Sequence, residues 1–401
     1  MVVPRHAPAA DDVPSVLLEA LRRPVAGPPL RSVVRAGQTV AVSVCDITRP
    51  QPRRPMLRAL LDELEGVVRP QDVTVLVATG THRPSTPAEL GEMLDDELLG
   101  AVRVVDHDAR ADADLKWCGR HGADVPVWLN SAWVEADVRI TTGFVEPHFF
   151  AGFSGGPKMV APGLAGLETV LTLHDAARIS SPQATWGVCE GNPVHDDVRA
   201  IAAATGVDFA LDVVLDRDQQ VVAAFGGELG PMHAAARDLV RRVSMQPVPH
   251  LFDVVVTSNA GYPLDQNLYQ SVKGLSAAAT VVRPGGLIIS VAECSDGFPD
   301  HGSFREVLAS APTPSALLDR IAARPRTVPD QWQVQVLARV LTRARVGMRT
   351  GHLDEDDLRS AHLSAVPDVG AAVRAELVAR GPGARVCVLP EGPQTIPYLA
   401  G

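Results

Sequence analysis

The stretch that decides the fold is TTGFVEPHFFAGFSGGPKMVAPGLAGLETVLTLH, residues 141–174. It begins inside a predicted strand, residues 137–144, whose β-branched and apolar residues are typical of a buried position in a sheet. A loop follows, with four residues that could surround an anion: Gly152, Gly155, Gly156 and Lys158. An alanine- and leucine-rich run then predicts a helix that leads to His174. Strand, polar loop and helix in this order predict an α/β fold.

The glycine-rich loop could bind a phosphate group. Small residues let backbone N–H groups approach an anion closely, and Lys158 adds a positive charge. The spacing differs from a P-loop, because Met159 rather than Ser or Thr follows the lysine. A tight connection between a strand and a helix would also require glycines, so the loop alone does not establish an anion site.

Composition limits the class of protein. A chain of 401 residues with 46% apolar residues is long enough for two domains with separate cores. The net charge of −10, without a basic run, argues against nucleic acid as a main partner. Five scattered cysteines without a CxxC pair predict neither a disulfide framework nor a thiolate metal site. We find no signal peptide and no run long enough to span a bilayer, so we expect a cytoplasmic protein without a membrane partner.

Strands alternate with helices along both halves of the chain. Strands are predicted at residues 39–44, 73–78, 102–105, 253–257, 287–291 and 385–389, helices at 55–64, 194–205, 232–242, 264–282, 305–323 and 331–345, and a hairpin at 210–225. This alternation predicts mostly parallel, buried sheets. Residues 1–30 are proline-rich and predict an extended or poorly ordered arm, and residues 246–249 predict a linker. We therefore predict two α/β domains, 1–247 and 248–401, with the active site in the cleft between them.

Polar residues cluster directly after three predicted strands, where open α/β sheets place their sites. These residues are Asp46, Thr48 and Arg49, then Thr81, His82 and Arg83, then His148 to Lys158. His82 and His148 are candidate acid/base groups, although a loop histidine bonded to backbone is the simpler interpretation of either one. Arg49 and Lys273 could clamp a small carboxylate, or they could be ordinary surface charges.

His174 has no second His or Cys at helical spacing, so near neighbours cannot complete a conventional zinc site with it. It could equally be a packed or capping residue, and Trp332 could be plain core. Taken together, the residues indicate an enzyme that acts on a small acid with a phosphorylated cofactor.

Six stretches resemble the nickel-pincer-nucleotide lactate racemase family. They are SVCDITRP (43–50), VATGTHRP (77–84), EPHFFAGFSGGPK (146–158), TLH (172–174), GYPLDQNLYQSVKG (261–274) and VLPEGPQTIPYL (388–399). They occur in one order from residue 40 to the C-terminus, so the resemblance covers nearly the whole chain. No single motif is decisive, but the set is specific.

The resemblance implies a role for each candidate residue. Lys158 would carry the nickel-pincer nucleotide covalently through a thioamide, and His174 would be the protein ligand to Ni²⁺, with the pincer supplying the other ligands. His82 and His148 would be the catalytic proton donor and acceptor. The cofactor would be lined by Asp46, Ile47, Thr48, Arg49, His82, His148, Ser154, Gly155, Gly156, Lys158, His174 and Trp332, and the substrate by Arg49, Tyr269, Gln270 and Lys273.

The implied activity is racemisation or epimerisation of a 2-hydroxy acid such as lactate. The C2 hydrogen of such an acid is very weakly acidic, because the adjacent carboxylate is already negative. Hydride removal to the cofactor, with a histidine taking the hydroxyl proton, avoids this difficulty. The partners would be the 2-hydroxy acid and the enzymes that make the cofactor. The alternatives are a non-catalytic carrier of the cofactor and a metal-dependent hydrolase or lyase on the same fold. The substrate side chain and the oligomeric state stay open.

Overall fold

The computed structural model describes residues 1–299 and 302–400. By contacts, the chain divides into two compact units. The N-terminal unit comprises His6–Leu173 and Val188–Arg241, and the C-terminal unit comprises Met1–Arg5, His174–Gly187 and Arg242–Gly401. This division assigns His174 and the segment after it to the C-terminal unit, whereas the predicted domain 1–247 includes them.

The strands alternate with helices as the sequence predicts. In chain order the strands are β1 (Val40–Cys45), β2 (Val73–Ala78), β3 (Arg103–Asp106), β4 (Leu115–His121), β5 (Val125–Asn130), β6 (Val138–Phe144), β7 (Pro147–His148), β8 (Gly152–Phe153), β9 (Phe209–Leu215), β10 (Val221–Gly227), β11 (Met245–Val248), β12 (Phe252–Ser258), β13 (Val282–Val291), β14 (Arg345–Arg349), β15 (Ser364–Ala365), β16 (Val386–Leu389) and β17 (Ile396–Leu399).

The helices in chain order are α1 (Val13–Arg22), α2 (Leu30–Val33), α3 (Arg53–Leu64), α4 (Pro87–Ala101), α5 (Ser131–Glu135), α6 (Leu167–Leu173), α7 (Ala176–Ser180), α8 (Pro193–Thr205), α9 (Leu229–Ser244), α10 (Leu268–Ala279), α11 (Phe304–Leu308), α12 (Pro314–Ala322), α13 (Gln331–Arg343), α14 (Glu355–Ser360) and α15 (Val369–Arg380). Within the described residues, no helix is both long enough and apolar enough to cross a lipid bilayer.

The N-terminal unit is built on a six-stranded sheet in the order β10-β9-β6-β1-β2-β3. All neighbours are parallel except the edge pair β10 and β9, which forms the predicted hairpin. Strand β1 is buried along its whole length, as its sequence VAVSVC requires for a strand covered on both faces. Because β6, β1 and β2 are neighbours, their carboxyl ends bring three polar loops to one edge of the sheet.

The C-terminal unit contains a parallel five-stranded sheet in the order β15-β14-β13-β12-β16. Helix α10 connects β12 to β13 and begins at a capping side chain, because Asn267 accepts the backbone N–H of Gln270. The mixed α/β class with mostly parallel sheets is therefore confirmed in both units.

Four local predictions are wrong. The predicted helix at 305–323 is two helices, α11 and α12, with residues 309–313 between them. The proline-rich N-terminus contains α1, which Asp12 caps and which buries Leu17 and Leu21, one helical turn apart. The predicted linker at 246–249 is instead strand β11, which pairs in parallel with β17 beyond the last predicted strand. Helix α10 is shorter than its predicted range 264–282. The hairpin of β4 and β5 has no counterpart among the sequence predictions.

Candidate active site

The loop after β1 places Asp46 against the loop after β2. Oδ2 of Asp46 lies 2.6 Å from Nδ1 of His82, and Thr48 donates its hydroxyl to the other carboxylate oxygen at 2.8 Å. Burial by itself raises the pKa of Asp46. The hydrogen bond and charge of His82, with Arg49 and Thr48, outweigh this effect and lower the pKa to about 2. An ionised Asp46 accepts the Nδ1 hydrogen and fixes the His82 ring. It therefore leaves Nε2 of His82 as the basic nitrogen.

Two buried residues that the sequence analysis did not select fix the backbone of this loop. Arg53, from the first turn of α3, donates to the carbonyl oxygens of Cys45 and Arg49, each at 2.7 Å. Gln51 accepts the Cys45 N–H at 2.6 Å and donates to Thr142 on β6 at 2.8 Å. The run RPQPRRP contains several arginines, so nothing in the sequence singles out Arg53 as the buried one.

Ile47 and Arg49 lie in the same loop and are partly buried, and Ile47 packs against the core of the N-terminal unit. The backbone N–H of Arg49 closes a turn onto the carbonyl oxygen of Asp46 at 3.2 Å. The loop after β1 therefore holds its four predicted site residues, 46–49, in one compact turn.

His148 ends the short strand β7 and is held by the backbone of its own loop. Its Nδ1 accepts the N–H groups of Ala151 at 3.2 Å and Phe150 at 3.5 Å. A neutral His148 must therefore carry its hydrogen on Nε2, and Nε2 lies 3.4 Å from Nζ of Lys158. The structure thus brings His148 and Lys158 together, and the backbone N–H groups at Nδ1 favour for His148 the opposite tautomer to that of His82.

Lys158 lies on a 3-10 turn, Gly156–Met159, and both Gly155 before the turn and Gly156 at its start have positive φ. A Cβ atom on Gly155 would lie 2.7 Å from Asp212, and one on Gly156 would lie 2.6 Å from the ring of His233. The N–H of Gly156 donates to Oδ2 of Asp212 at 2.6 Å. Protein packing thus accounts for both glycines.

Ser154, the predicted site residue before these glycines, also makes its hydrogen bonds within the loop. Its hydroxyl donates to the carbonyl oxygen of Phe144 at 3.0 Å and accepts the N–H of Glu146 at 2.9 Å. Ser154 therefore connects the loop that carries Lys158, called here the lysine loop, to the end of β6.

A buried polar layer lies beneath the lysine loop. Asp212 is fully buried on β9, and burial raises its pKa to about 7 although the Gly156 N–H lowers it. Burial lowers the pKa of His233 to about 3, and its neutral ring donates to the carbonyl oxygen of Ser154 at 2.8 Å. The ring of His195 stacks on His233 at 5.7 Å. The sequence signal for Asp212 is that it is the lone charged residue of the apolar strand FALDVVL.

In the C-terminal unit, His174 is 6% exposed and its ring lies 4.7 Å from that of Trp332 on α13. The indole N–H of Trp332 donates to the hydroxyl of Tyr269 at 3.3 Å. Gln270 and Lys273 follow on the first turns of α10, both partly buried. The structure therefore brings His174, Trp332 and Tyr269 together within this unit.

The donor set is compatible with a metal that arrives with its own ligands. Within residues 1–299 and 302–400, no group of three or more His, Cys, Asp or Glu side chains is arranged to hold a metal ion. A single imidazole such as that of His174 could complete the coordination of a metal already held by an organic pincer, and a primary amine such as that of Lys158 could carry its covalent link. The residues present therefore fit the nickel-pincer nucleotide.

Comparison with known families matches both halves of the chain. Residues 1–187 match the lactate racemase N-terminal domain, and residues 249–396 match the lactate racemase C-terminal domain. The chain is 35% identical over 384 residues to a lactate racemase of Thermoanaerobacterium thermosaccharolyticum, covering 95% of this chain and 89% of that protein. It is 34% identical over 376 residues to a lactate racemase of Lactiplantibacillus plantarum, covering 93% and 88%.

Solved structures agree with these matches. The lactate racemase apoprotein from Thermoanaerobacterium thermosaccharolyticum superposes with a TM-score of 0.92 at 32% identity, covering 99% of this chain and 94% of that one. A protein from Thermotoga maritima superposes with a TM-score of 0.69 at 17% identity, covering 99% and 100%, and shares the fold alone. The chain therefore belongs to the lactate racemase family.

Proposed function

We propose that this protein racemises a short 2-hydroxy acid, with lactate as the first substrate to test, and that His82 and His148 exchange the proton of its hydroxyl group. Its family places it among the isomerases and supports racemase activity. The observation that carries the proposal is a pair of imidazoles that follow β2 and β6 of one sheet. Nδ1 faces a carboxylate acceptor in His82 and backbone N–H donors in His148.

His82 is suited to act as the base. Asp46 holds the Nδ1 hydrogen at 2.6 Å, so Nε2 is free to accept the hydroxyl proton of a substrate, and the buried carboxylate stabilises the imidazolium that forms. Since the pKa of Asp46 is lowered to about 2, this carboxylate stays ionised throughout the neutral pH range.

His148 is the acid for the same enantiomer in its imidazolium form, because a neutral imidazole that gave up its Nε2 hydrogen would become an imidazolate. Its neutral ring carries the hydrogen on Nε2, while Nδ1 accepts the N–H groups of Ala151 and Phe150. Giving up the Nε2 hydrogen requires a proton on Nδ1, so the ring has to release these N–H groups during turnover. The two histidines exchange roles for the opposite enantiomer, which presents its hydroxyl group to the other side.

We further propose that Lys158 carries the nickel-pincer nucleotide and that His174 is its protein ligand to Ni²⁺. When bound, this cofactor supplies an electrophilic carbon that accepts the C2 hydrogen as hydride. The remaining predicted cofactor contacts are Asp46, Ile47, Thr48, Arg49, Ser154, Gly155, Gly156 and Trp332. The enzymes that make the cofactor are the expected protein partners.

Recognition of the substrate carboxylate is assigned to Arg49, with Lys273, Gln270 and Tyr269 as further contacts. An arginine can bind a carboxylate through two parallel hydrogen bonds, which fixes the orientation of a small acid as well as attracting it. The cleft position of the site, the domain bounds 1–247 and 248–401 and the cytoplasmic location stay predictions from the sequence.

The proposal is tested on protein expressed together with the cofactor-making enzymes. We expect an adduct on Lys158 by peptide mass spectrometry, about one nickel per chain for a site with one protein ligand, and interconversion of the lactate enantiomers. Lys158→Ala should lose the adduct, and His174→Ala should lose nickel more than the organic part. Adduct and nickel without turnover of any 2-hydroxy acid would identify a cofactor carrier, and stoichiometric zinc without an adduct would refute the proposal.

The division of labour between the two histidines has its own test. His82→Ala and His148→Ala should each stop racemisation of both enantiomers, because each direction needs one base and one acid. Each variant should still form some bound 2-oxo acid from one enantiomer, and the two variants should differ in which one. Rapid-mixing absorbance with pure enantiomers measures this, and the same enantiomer surviving in both variants would contradict the assignment.

A further inference from the structure

Helix α13 directs a row of side chains at residues His174–Gly187, called here the His174 segment. Trp332, Gln335 and Arg339 follow one another at spacings of three and four residues, so they share one face of the helix. The Trp332 ring lies 4.7 Å from that of His174, Gln335 Nε2 donates to the Ala176 carbonyl oxygen at 2.9 Å, and Arg339 donates to the Ile179 carbonyl oxygen at 2.8 Å. These contacts cover the first six residues of the segment and lie within the C-terminal unit.

The segment needs such support because its own secondary structure is short. Helix α7 has five residues, and Asp175 caps it by accepting the N–H of Arg178 at 2.7 Å. A helix of this length is not stable without tertiary contacts, and the last carbonyl groups of any helix lack an N–H donor from a following turn. Arg339 bonds one of these carbonyl groups, that of Ile179, and places a positive charge at the negative end of α7.

Gln335 is buried at a position where an apolar side chain would have a smaller desolvation cost. It is 4% exposed, and its Oε1 atom has no hydrogen-bond partner among the described residues. Arg339 is likewise partly desolvated, and burial lowers its pKa. Burial of such groups is unfavourable unless their hydrogen bonds are made. The contacts that both side chains do make are to the backbone of one short helix.

We propose that Gln335 and Arg339 are positioning residues for His174. They hold the backbone two and five residues after it, so that its imidazole keeps one orientation against Trp332. This inference rests on the proposed role of His174 as the nickel ligand. Groups that orient a ligating histidine typically change metal affinity by about 10- to 100-fold when they are removed.

Arg343 provides a matched control on the same helix. It also donates from α13 to a backbone carbonyl, that of Val282 at 2.9 Å, but this carbonyl belongs to β13 and not to the His174 segment. Arg339→Met and Arg343→Met therefore remove the same kind of interaction from two different places. Arg339→Lys keeps a charge and one hydrogen bond and should restore part of the effect.

The first readout is hydrogen exchange of the protein without cofactor. In Arg339→Met and Gln335→Met, the amides of residues 176–181 should exchange about tenfold faster, since each change removes a hydrogen bond that protects this turn. Arg343→Met should leave them unchanged. Equal exchange of this peptide in Arg339→Met and Arg343→Met would overturn the positioning role, whether or not the variants differ in melting temperature.

The second readout is the ratio of nickel to Lys158 adduct in protein loaded with cofactor. This ratio should fall in Arg339→Met and Gln335→Met, recover partly in Arg339→Lys and stay at the wild-type value in Arg343→Met. If His174→Ala keeps the wild-type ratio of nickel to adduct, the nickel-ligand role in the proposed function is refuted. Hydrogen exchange of residues 176–181 in Arg339→Met and Arg343→Met would still decide the positioning role. A full ratio in the Arg339 and Gln335 variants, with His174→Ala depleted, would overturn this inference alone.

Discussion

Replacing Asp212 with asparagine should change how the stability of the protein depends on pH. Asp212 lies under the lysine loop, fully buried, with the Gly156 N–H as its hydrogen-bond donor at 2.6 Å. Asparagine has nearly the same shape, and its carbonyl oxygen can accept the same N–H. It cannot ionise, so the substitution removes the charge while it keeps the contact with the loop.

The magnitude follows from the difference between the folded and unfolded carboxyl. Burial raises the pKa of Asp212 from 3.8 to about 7. Below pH 3.8 the group is protonated in both states, and between pH 3.8 and 7 only the unfolded chain releases the proton, so stability falls as the pH rises. Above pH 7 the loss is complete, and at about 1.4 kcal/mol per pH unit it amounts to roughly 4 kcal/mol.

The assay is urea unfolding of wild type and Asp212→Asn between pH 4 and pH 8, followed by tryptophan fluorescence and circular dichroism. The new amide N–H₂ shifts the variant by a constant amount, so the informative quantity is the change in the stability difference with pH. Relative to wild type, the variant should gain roughly 4 kcal/mol from pH 4 to pH 8. The exposed Asp137 is the control, because its pKa is lowered from 3.8 by its bonds to Thr39 and its contribution to stability is lost only as the pH falls below that value, so Asp137→Asn should keep a nearly constant stability difference between pH 4 and pH 8. A stability difference between wild type and Asp212→Asn that does not change with pH would show that burial does not raise the pKa of Asp212.

Three further predictions concern the site. Asp46→Asn should lower racemisation by about 10²- to 10⁴-fold at an unchanged amount of cofactor adduct, because a neutral amide does not stabilise the imidazolium of His82 and its N–H₂ group can donate to Nδ1, which leaves the His82 hydrogen on Nε2; normal turnover by fully loaded protein would contradict this. Arg49→Lys should be nearly as harmful as Arg49→Ala, because lysine cannot make the two parallel hydrogen bonds of arginine. Steady-state kinetics with lactate should show that each variant loses roughly 2 to 5 kcal/mol of transition-state binding. Unchanged turnover in Arg49→Ala would exclude the carboxylate role. Gly156→Ala should lower both the melting temperature and the yield of adduct, because its Cβ would lie 2.6 Å from the His233 ring at a φ of +51°, and wild-type values of both would show that the loop accommodates a side chain.

Much of the N-terminal sheet could be predicted because its strands are short apolar runs bounded by polar turns. Strand β2 occurs at its predicted residues, and β1 and β6 lie within one residue of theirs. Parallel pairing of neighbouring strands then places the three polar loops at one edge of the sheet. The chemistry of these loops is therefore visible in the order of the residues along the chain.

Other elements depend on contacts that are distant in sequence. The pairing of β11 with β17 joins residues about 150 positions apart, and Pro247 and Pro249, taken alone, favour a linker. In α1, the apolar residues one helical turn apart were outweighed by the proline-rich composition around them. Local patterns cannot show which distant partner covers a segment, so the sequence alone predicts neither α1 nor β11.

The candidate site, too, could be predicted from the sequence only in part. Residue types identified His82, His148 and Lys158, because each follows a predicted strand in a polar loop. The tautomers of the two histidines depend on Asp46 in another loop and on backbone N–H groups, and these exist only in the folded chain. The contacts of Gln335 and Arg339 with the His174 segment span about 160 residues, and no sequence pattern indicates them.

The most direct test of the account is the fate of deuterium at C2 during racemisation. Protein loaded with cofactor is incubated with L-lactate deuterated at C2, and chiral separation with mass spectrometry follows the label in both enantiomers. We expect D-lactate to form and the label to stay in the lactate pool, because the C2 hydrogen leaves as hydride and not as a proton that exchanges with water. Formation of unlabelled D-lactate, or of no D-lactate by protein that carries both adduct and nickel, would contradict it.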